Sequence, residues 1–142
     1  MRMTIEIGDW FVIDGRPEQV CAVHRNKVSY HVGGDRTKPM KWVFINVVTP
    51  LVIAPHVFDS NGFKCVMGHD VTFEGKLLGV CPDKYIYKDD DCYVTVTRLG
   101  DGWNITHVRY DGAQPTNSAT VRHVHELQHA LRLFGVDIKL NY

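Results

Sequence analysis

Within HVHELQHALRLF, residues 123–134, the segment His125-Glu126-Leu127-Gln128-His129 spells H-E-x-x-H. Two histidines four residues apart on a helix lie on one face and can share a tetrahedral Zn²⁺, and the glutamate between them can take a proton from metal-bound water. On that chemistry the chain is a zinc-dependent hydrolase, with His125 and His129 as ligands and Glu126 as general base. A third protein ligand is then required. The extended metzincin pattern sets Gly and His three and six residues past the second histidine, where this chain has Arg132 and Gly135. Asp137 or an upstream histidine such as His107 would have to complete the site.

Helical phase favours a different role. At about 100° per residue, Val124, Leu127, Ala130, Leu131 and Phe134 gather on one face, while His125, His129 and Arg132 fall opposite. The apolar stripe belongs to the core, so the histidines are expected to face water. Arg122 and Arg132 beside a Zn²⁺ would repel it. The chain carries 8 His, which makes a chance match easy, and the preferred reading is an amphipathic helix with no metal and no catalytic residue.

A second constellation lies near the other end. His24, Arg25, Lys27, Arg36, Lys38 and Lys41 surround Tyr30 and Trp42, with Asp35 the sole acid from position 24 to 42. Cations beside exposed aromatics suit a phosphate backbone, a nucleotide or a stacked base. The expected ligand-binding residues are Arg25, Lys27, Tyr30, Arg36, Lys38, Lys41 and Trp42; the competing reading makes Trp42 core and the cations solvated loop tips. Lys88-Asp89-Asp90-Asp91 lacks the spaced ligands and glycine of a calcium loop and reads as a solvated turn. No nucleophile elbow or phosphate-binding glycine loop is present.

Composition bounds the rest. Sixteen basic residues balance sixteen acidic ones, so attraction to nucleic acid can come only from a local patch. The cysteines, Cys21, Cys65, Cys81 and Cys92, form no C-x-x-C pair, and MRMTIEIGDW lacks a signal-peptide core. Reduced thiols in a cytoplasm are expected. The longest apolar stretch, VFINVVTPLVIAP, is too short and too broken for a bilayer, so no membrane is expected.

The elements that must position these residues are mostly strands. Short β-rich runs near 9–13, 18–24, 27–32 and 40–45 are punctuated by Asp14-Gly15, Arg25-Asn26-Lys27 and Gly33-Gly34-Asp35, which suggests a small curled sheet over residues 1–50. Pro55 and Asn61-Gly62 bracket a short helix over about 55–61. Strand-like runs from Phe63 to Tyr110 imply an antiparallel meander, with Glu74-Gly75 and Gly100-Asp101-Gly102 as turns. A loop over DGAQPTNSAT leads to a helix over about 119–134, capped by Asn117 or Ser118, and VDIKL closes as an edge strand. The fold expected is α+β: a small barrel-like β module, residues 1–50, and a β meander packed against one C-terminal helix, residues 51–142.

Three stretches also carry a resemblance. VRHVHELQHALRLFGVDI resembles the Y-V-H-x-L-Q-x-x-x-x-x-L-x-G ending of small uncharacterised proteins of Bacteroides-type gut bacteria and their phages. LVIAPHVFDSNGFK is similar to their I-P-L-T-x-x-x-L-x-x-x-G-F segment, and IGDWFVIDGRPEQVCAV to their G-D-x-V, SH3-like opening. The chain departs from that form at Pro55 and in the longer loop at 111–118. The resemblance implies a packing role for the VHxLQ helix, transfers no catalytic residue, and implies a phage or mobile-element accessory protein. Together these readings give a non-enzymatic binding protein that engages a host macromolecule or a nucleotide-like anion, with host defence as one target. The alternatives are the zinc hydrolase and a self-assembling structural or virion protein, and a homo-oligomer fits either binding or assembly.

Overall fold

The computed structural model describes residues 4–112 and 115–142. In the first module, β1 (Trp10–Ile13) and β2 (Arg16–Gln19) form a hairpin across Asp14-Gly15. Both turn residues have positive φ, 53° and 73°, the twist-matched geometry of a two-residue hairpin that Asp-Gly tolerates. β3 (Ala22–His24), β4 (Lys27–His31) and β5 (Met40–Phe44) make a second antiparallel sheet, and β6 (Thr49–Pro50) pairs with β1. The single strand expected over 18–24 is two strands, because the chain turns a corner there. The Val20 N–H donates to Asp9 O in one sheet and the Cys21 N–H to Ser29 O in the other, 2.9 and 2.8 Å. Phe11, Ile13, Val20, Val28, Tyr30 and Val48 fill the space between the two sheets.

Beyond residue 50, α1 (Pro55–Asp59) starts on its proline, and five strands follow: β7 (Lys64–Phe73), β8 (Lys76–Lys88), β9 (Cys92–Leu99), β10 (Gly102–Arg109) and β11 (Pro115–Val121). They pair sequentially in the order β11-β10-β9-β8-β7, the antiparallel meander that the short turns dictate. Tyr85, Val96 and Ile105 stand in register across three strands and are fully buried. Phe58 of α1 lies against both Tyr85 and Trp103, with ring centroids 5.0 Å apart in each case. Leu127 and Leu131 of α2 (Val124–Leu133) complete this second core. The architecture is α+β, largely antiparallel sheet with one C-terminal helix. No helix among the described residues is long and apolar enough to cross a membrane.

Two elements differ from the sequence expectation. The C-terminal helix begins at Val124, not near 119, because the chain from Pro115 to Val121 pairs with β10, Ile105 opposite Ala119 and Trp103 opposite Val121. Strand pairing outcompetes helix there, and Asn117 and Ser118 are strand residues, not caps. Ala113 and Gln114, inside the loop expected over 111–118, lie outside the described residues. Val136–Leu140 forms no strand; Val136 and Leu140 are buried in the second core, and Leu140 O accepts the Trp10 indole N–H at 3.0 Å.

The β7–β8 hairpin is longer than the sheet that carries it. β9 pairs with β8 only from Lys84 to Lys88, so residues 66–83 project as a two-stranded ribbon. Val66, Met67, Val71, Phe73, Leu77, Leu78 and Val80 are exposed on it. Gly68 is required inside the ribbon, since a Cβ there would lie 2.9 Å from the Cys81 carbonyl oxygen.

Candidate functional site

The helix bearing the H-E-x-x-H signature is amphipathic as its phase dictates, but much of its polar side is covered, His125 and Gln128 being buried and Arg132 staying at the exposed rim. Residues 6–11 of the first module form the cover. The His125 side chain is only 7% exposed and stacks on Phe11, centroids 4.6 Å apart, which corrects the expectation of an outward-facing histidine. Its Nδ1 is buried without a hydrogen-bond partner, and burial pushes the ring's pKa down to about 4. Gln128 is buried beside it, accepting the Trp10 backbone N–H at 2.9 Å and donating to Gly8 O at 2.8 Å.

One turn further on, the seam becomes ionic. Asp9 is fully buried at the start of β1, with Oδ2 2.6 Å from His129 Nε2 and Oδ1 accepting from Arg132 at 2.6 Å. Its Oδ2 also accepts the Glu6 N–H at 2.8 Å, and Arg132 reaches Glu6 as well. Burial raises the Asp9 carboxyl to about 6, against the opposing pull of His129. Only the phase of the helix is readable from sequence; the surface that meets His129 and Arg132 comes from residues more than a hundred positions away.

The three signature side chains turn to separate partners. Glu126 turns back to the helix start, where its Oε1 accepts the N–H groups of Arg122 and His123 at 3.2 and 3.0 Å and lies 2.8 Å from His123 Nδ1. That is a capping role, satisfying orphan donors of the first turn. His125 is spent on Phe11 and His129 on Asp9, so the three signature side chains do not converge on one point. The donors that do converge are Glu6, Asp9 and His129, within 4.8 Å of one another, and the guanidinium of Arg132 already stands on both carboxylates. That cation supplies the positive charge a metal would bring. Asp9 and His129 together make half of a nucleophile-activating relay, but among the described residues no hydroxyl or thiol bonds His129 to supply the other half. Beside the seam lies a cleft of about 360 Å³, lined by Gly8, Gln19, Gln128, Arg132, Val136 and Leu140.

The basic-aromatic constellation lands on the β3–β4–β5 sheet, with changes in membership. Tyr30 is only 2% exposed and belongs to the core of the first module, so it is removed from the ligand face. Trp42, in contrast, is 47% exposed, and period-two alternation along β5 puts Met40 and Phe44 on the same side, also exposed. The Lys27 ammonium lies over the Phe44 ring, 4.8 Å from its centroid. Arg25 sits in the β3–β4 turn at the Phe44 end of this row, since the Ile45 N–H donates to Asn26 O at 2.8 Å. Arg36 and Lys38 lie in the loop that enters Met40, and Lys38 O is 2.8 Å from His31 Nδ1. Alternation turns Lys41 to the other side of the strand, opposite Tyr30 in register. The row Met40, Trp42, Phe44 was legible in M-K-W-V-F, an apolar-first alternation whose inner partner Val43 packs on the core. Reading by charge alone overlooked it.

No protein-family model, curated protein or solved structure matches this chain. The reading of the site rests on its own residues.

Proposed function

We propose that this chain is a non-enzymatic binding protein whose recognition face is the outer side of the β3–β4–β5 sheet, and that it takes a single-stranded nucleic acid or its nucleotide unit. The first fifty residues are read as an SH3-like barrel presenting that face. The observation that carries the proposal is the exposed Met40–Trp42–Phe44 row, with Lys27 over Phe44, Arg25 in the adjoining turn, and Arg36 and Lys38 in the loop that leads into Met40. Residues two apart on a strand stand about 7 Å apart, a spacing that successive splayed bases can span. Aromatic stacking is worth about 1–3 kcal/mol per base, and flanking cations hold the phosphates. A chain with no net charge attracts nucleic acid only through such a local patch. The phage or mobile-element setting, and a host component as the source of the strand, belong to the same proposal and rest on the resemblance of the three sequence stretches.

Alanine at Trp42 or at Phe44 is expected to weaken binding of a short oligothymidylate by about tenfold or more, with the melting temperature nearly unchanged because both rings are exposed. Arg36→Ala with Lys38→Ala is expected to weaken binding and lower its salt dependence. Lys41→Ala, on the other side of the strand, should change little. Equal losses at Lys41 and Lys38 would show that general charge, not this face, holds the ligand.

Self-assembly is the second reading, favoured by the apolar ribbon at residues 66–83. A two-stranded ribbon is marginal in water, and a large exposed apolar area calls for a partner. Light scattering of the purified protein decides this reading: a multimer that returns to monomer when Phe73, Leu77 and Leu78 are all replaced by Ser supports it. A monomer at high concentration eliminates it.

A further inference from the structure

The β7–β8 ribbon carries a second cluster of metal-ligating side chains, unrelated to the H-E-x-x-H segment. His69 and Cys81 are cross-strand partners in register, and Asp83 lies two residues beyond Cys81 on β8. A register irregularity between Met67 and Gly68 leaves Asp83 without a cross-strand partner on β7, and there the three side chains come together on one side of the ribbon. The His69 Nδ1, Cys81 Sγ and Asp83 carboxylate atoms lie within 4.8 Å of one another, with Nδ1 and Asp83 Oδ2 2.6 Å apart. A tetrahedral Zn²⁺ with bonds of about 2.0–2.3 Å holds its donors about 3.3–3.6 Å apart. The donors therefore already stand within reach of one ion, and the His69–Asp83 pair must open by under about 1 Å to admit it.

We propose that His69, Cys81 and Asp83 form a zinc site of three protein ligands, one thiolate, one imidazole and one carboxylate, with the fourth position open to solvent or to a donor from outside. A mixed sulfur, nitrogen and oxygen set suits a borderline-soft ion and not Ca²⁺ or Mg²⁺. The His69 and Asp83 side chains are 57% and 28% exposed, so ion and fourth ligand have access. The charged neighbour from the next strand is Arg98. Its Nε lies 3.7 Å from Asp83 Oδ1, and it is anchored by two donations to Pro82 O and by the Trp103 ring beneath it. Arg98 thus engages one carboxylate oxygen and leaves Oδ2 for the metal, orienting Asp83 as outer partners of metal ligands do. Binding displaces the Cys81 thiol proton to solvent, so zinc affinity rises with pH. The ion also joins β7 to β8 just beyond the last backbone pair that β9 makes with β8, which gives the ribbon a staple that its hydrogen bonds alone do not provide.

The test is equilibrium dialysis of the untagged full chain against Zn²⁺, with Co²⁺ as spectroscopic substitute. The expected result is one bound equivalent in the wild type, and affinity at least about 100-fold weaker in Cys81→Ala and in His69→Ala. His129→Ala should retain the zinc. Co²⁺ should give a thiolate charge-transfer band that Cys81→Ala abolishes and Cys65→Ala leaves in place; if Cys81→Ala fails to fold, Cys81→Ser and His69→Ala carry the test, and a band lost in Cys65→Ala would overturn the assignment. Absence of stoichiometric zinc, zinc undiminished in folded Cys81→Ala, or zinc lost in His129→Ala but retained in Cys81→Ala would each overturn the assignment.

Discussion

Asp9→Ala is expected to lower stability by about 2–3 kcal/mol at pH 7, a fall in melting temperature of about 10 °C. Asp9 is fully buried and engages His129, Arg132 and the Glu6 N–H. Breaking a buried ion pair by removing one partner costs about 3–5 kcal/mol when the charge left behind stays buried. Here the charge left behind is not fully trapped: the Arg132 side chain is 43% exposed, so water recovers part of the loss. Arg132 also keeps Glu6. Asp90→Ala, at an exposed turn, is the control and should cost no more than about 0.5 kcal/mol. Urea denaturation measures both. A loss of under about 0.5 kcal/mol for Asp9→Ala would show that packing alone, through Phe11, Gln128 and Trp10, joins helix to module.

The second large effect is one of pH. His125 is buried, and its folded pKa of about 4 lies below the unfolded value near 6.5. Folding then excludes a proton that the unfolded chain binds, so its contribution to stability is complete above pH 6.5 and is lost as the pH falls toward 4. The penalty is about 2 kcal/mol at pH 5 and about 3 kcal/mol at pH 4. Asp9 runs the other way. Its folded pKa of about 6 exceeds the ordinary carboxyl value of 3.8, so the folded state binds a proton first, and this contribution is fully present below 3.8 and lost as the pH rises through 6. The two windows overlap with opposite sign, so the wild-type profile between pH 4 and 6.5 is shallower than either group alone would give. His125→Leu removes the orphan Nδ1 and the acid penalty together. It should match or slightly exceed the wild type at pH 7.5 and exceed it by about 2 kcal/mol at pH 5. A difference that does not grow on acidification would mean that His125 is hydrated and titrates normally.

The parts of this fold that were legible in the sequence are those set by local chemistry. Asp14-Gly15 and Glu74-Gly75 mark hairpins because positive φ is needed there, and the apolar stripe of α2 follows from Val124, Leu127 and Leu131. Proline at 55 opens α1. What was not legible depends on which distant surface meets which face. The stripe of His125, Gln128, His129 and Arg132 reads as solvent-facing until residues 6–11 are laid over it, and the T-N-S-A-T-V run reads as a helix approach until β10 is offered as a partner. Tyr30 and Trp42 illustrate the same limit on the candidate site. Both are aromatic residues in strands among cations, yet Tyr30 is 2% and Trp42 47% exposed, because they project from opposite sides of the β4–β5 pair. Charge located the patch; strand parity decides its membership.

Tryptophan emission tests the central claim most directly. Trp103 is buried under Arg98, Trp10 is tied to Leu140 O, and Trp42 stands on the proposed face. Titrating the wild-type chain with a short oligothymidylate at low salt should quench emission saturably, lose affinity as salt is raised, and give no quench in Trp42→Phe although binding persists. Emission unchanged by the oligonucleotide, or an equal quench in Trp42→Phe, would contradict a nucleic-acid face on the β3–β4–β5 sheet.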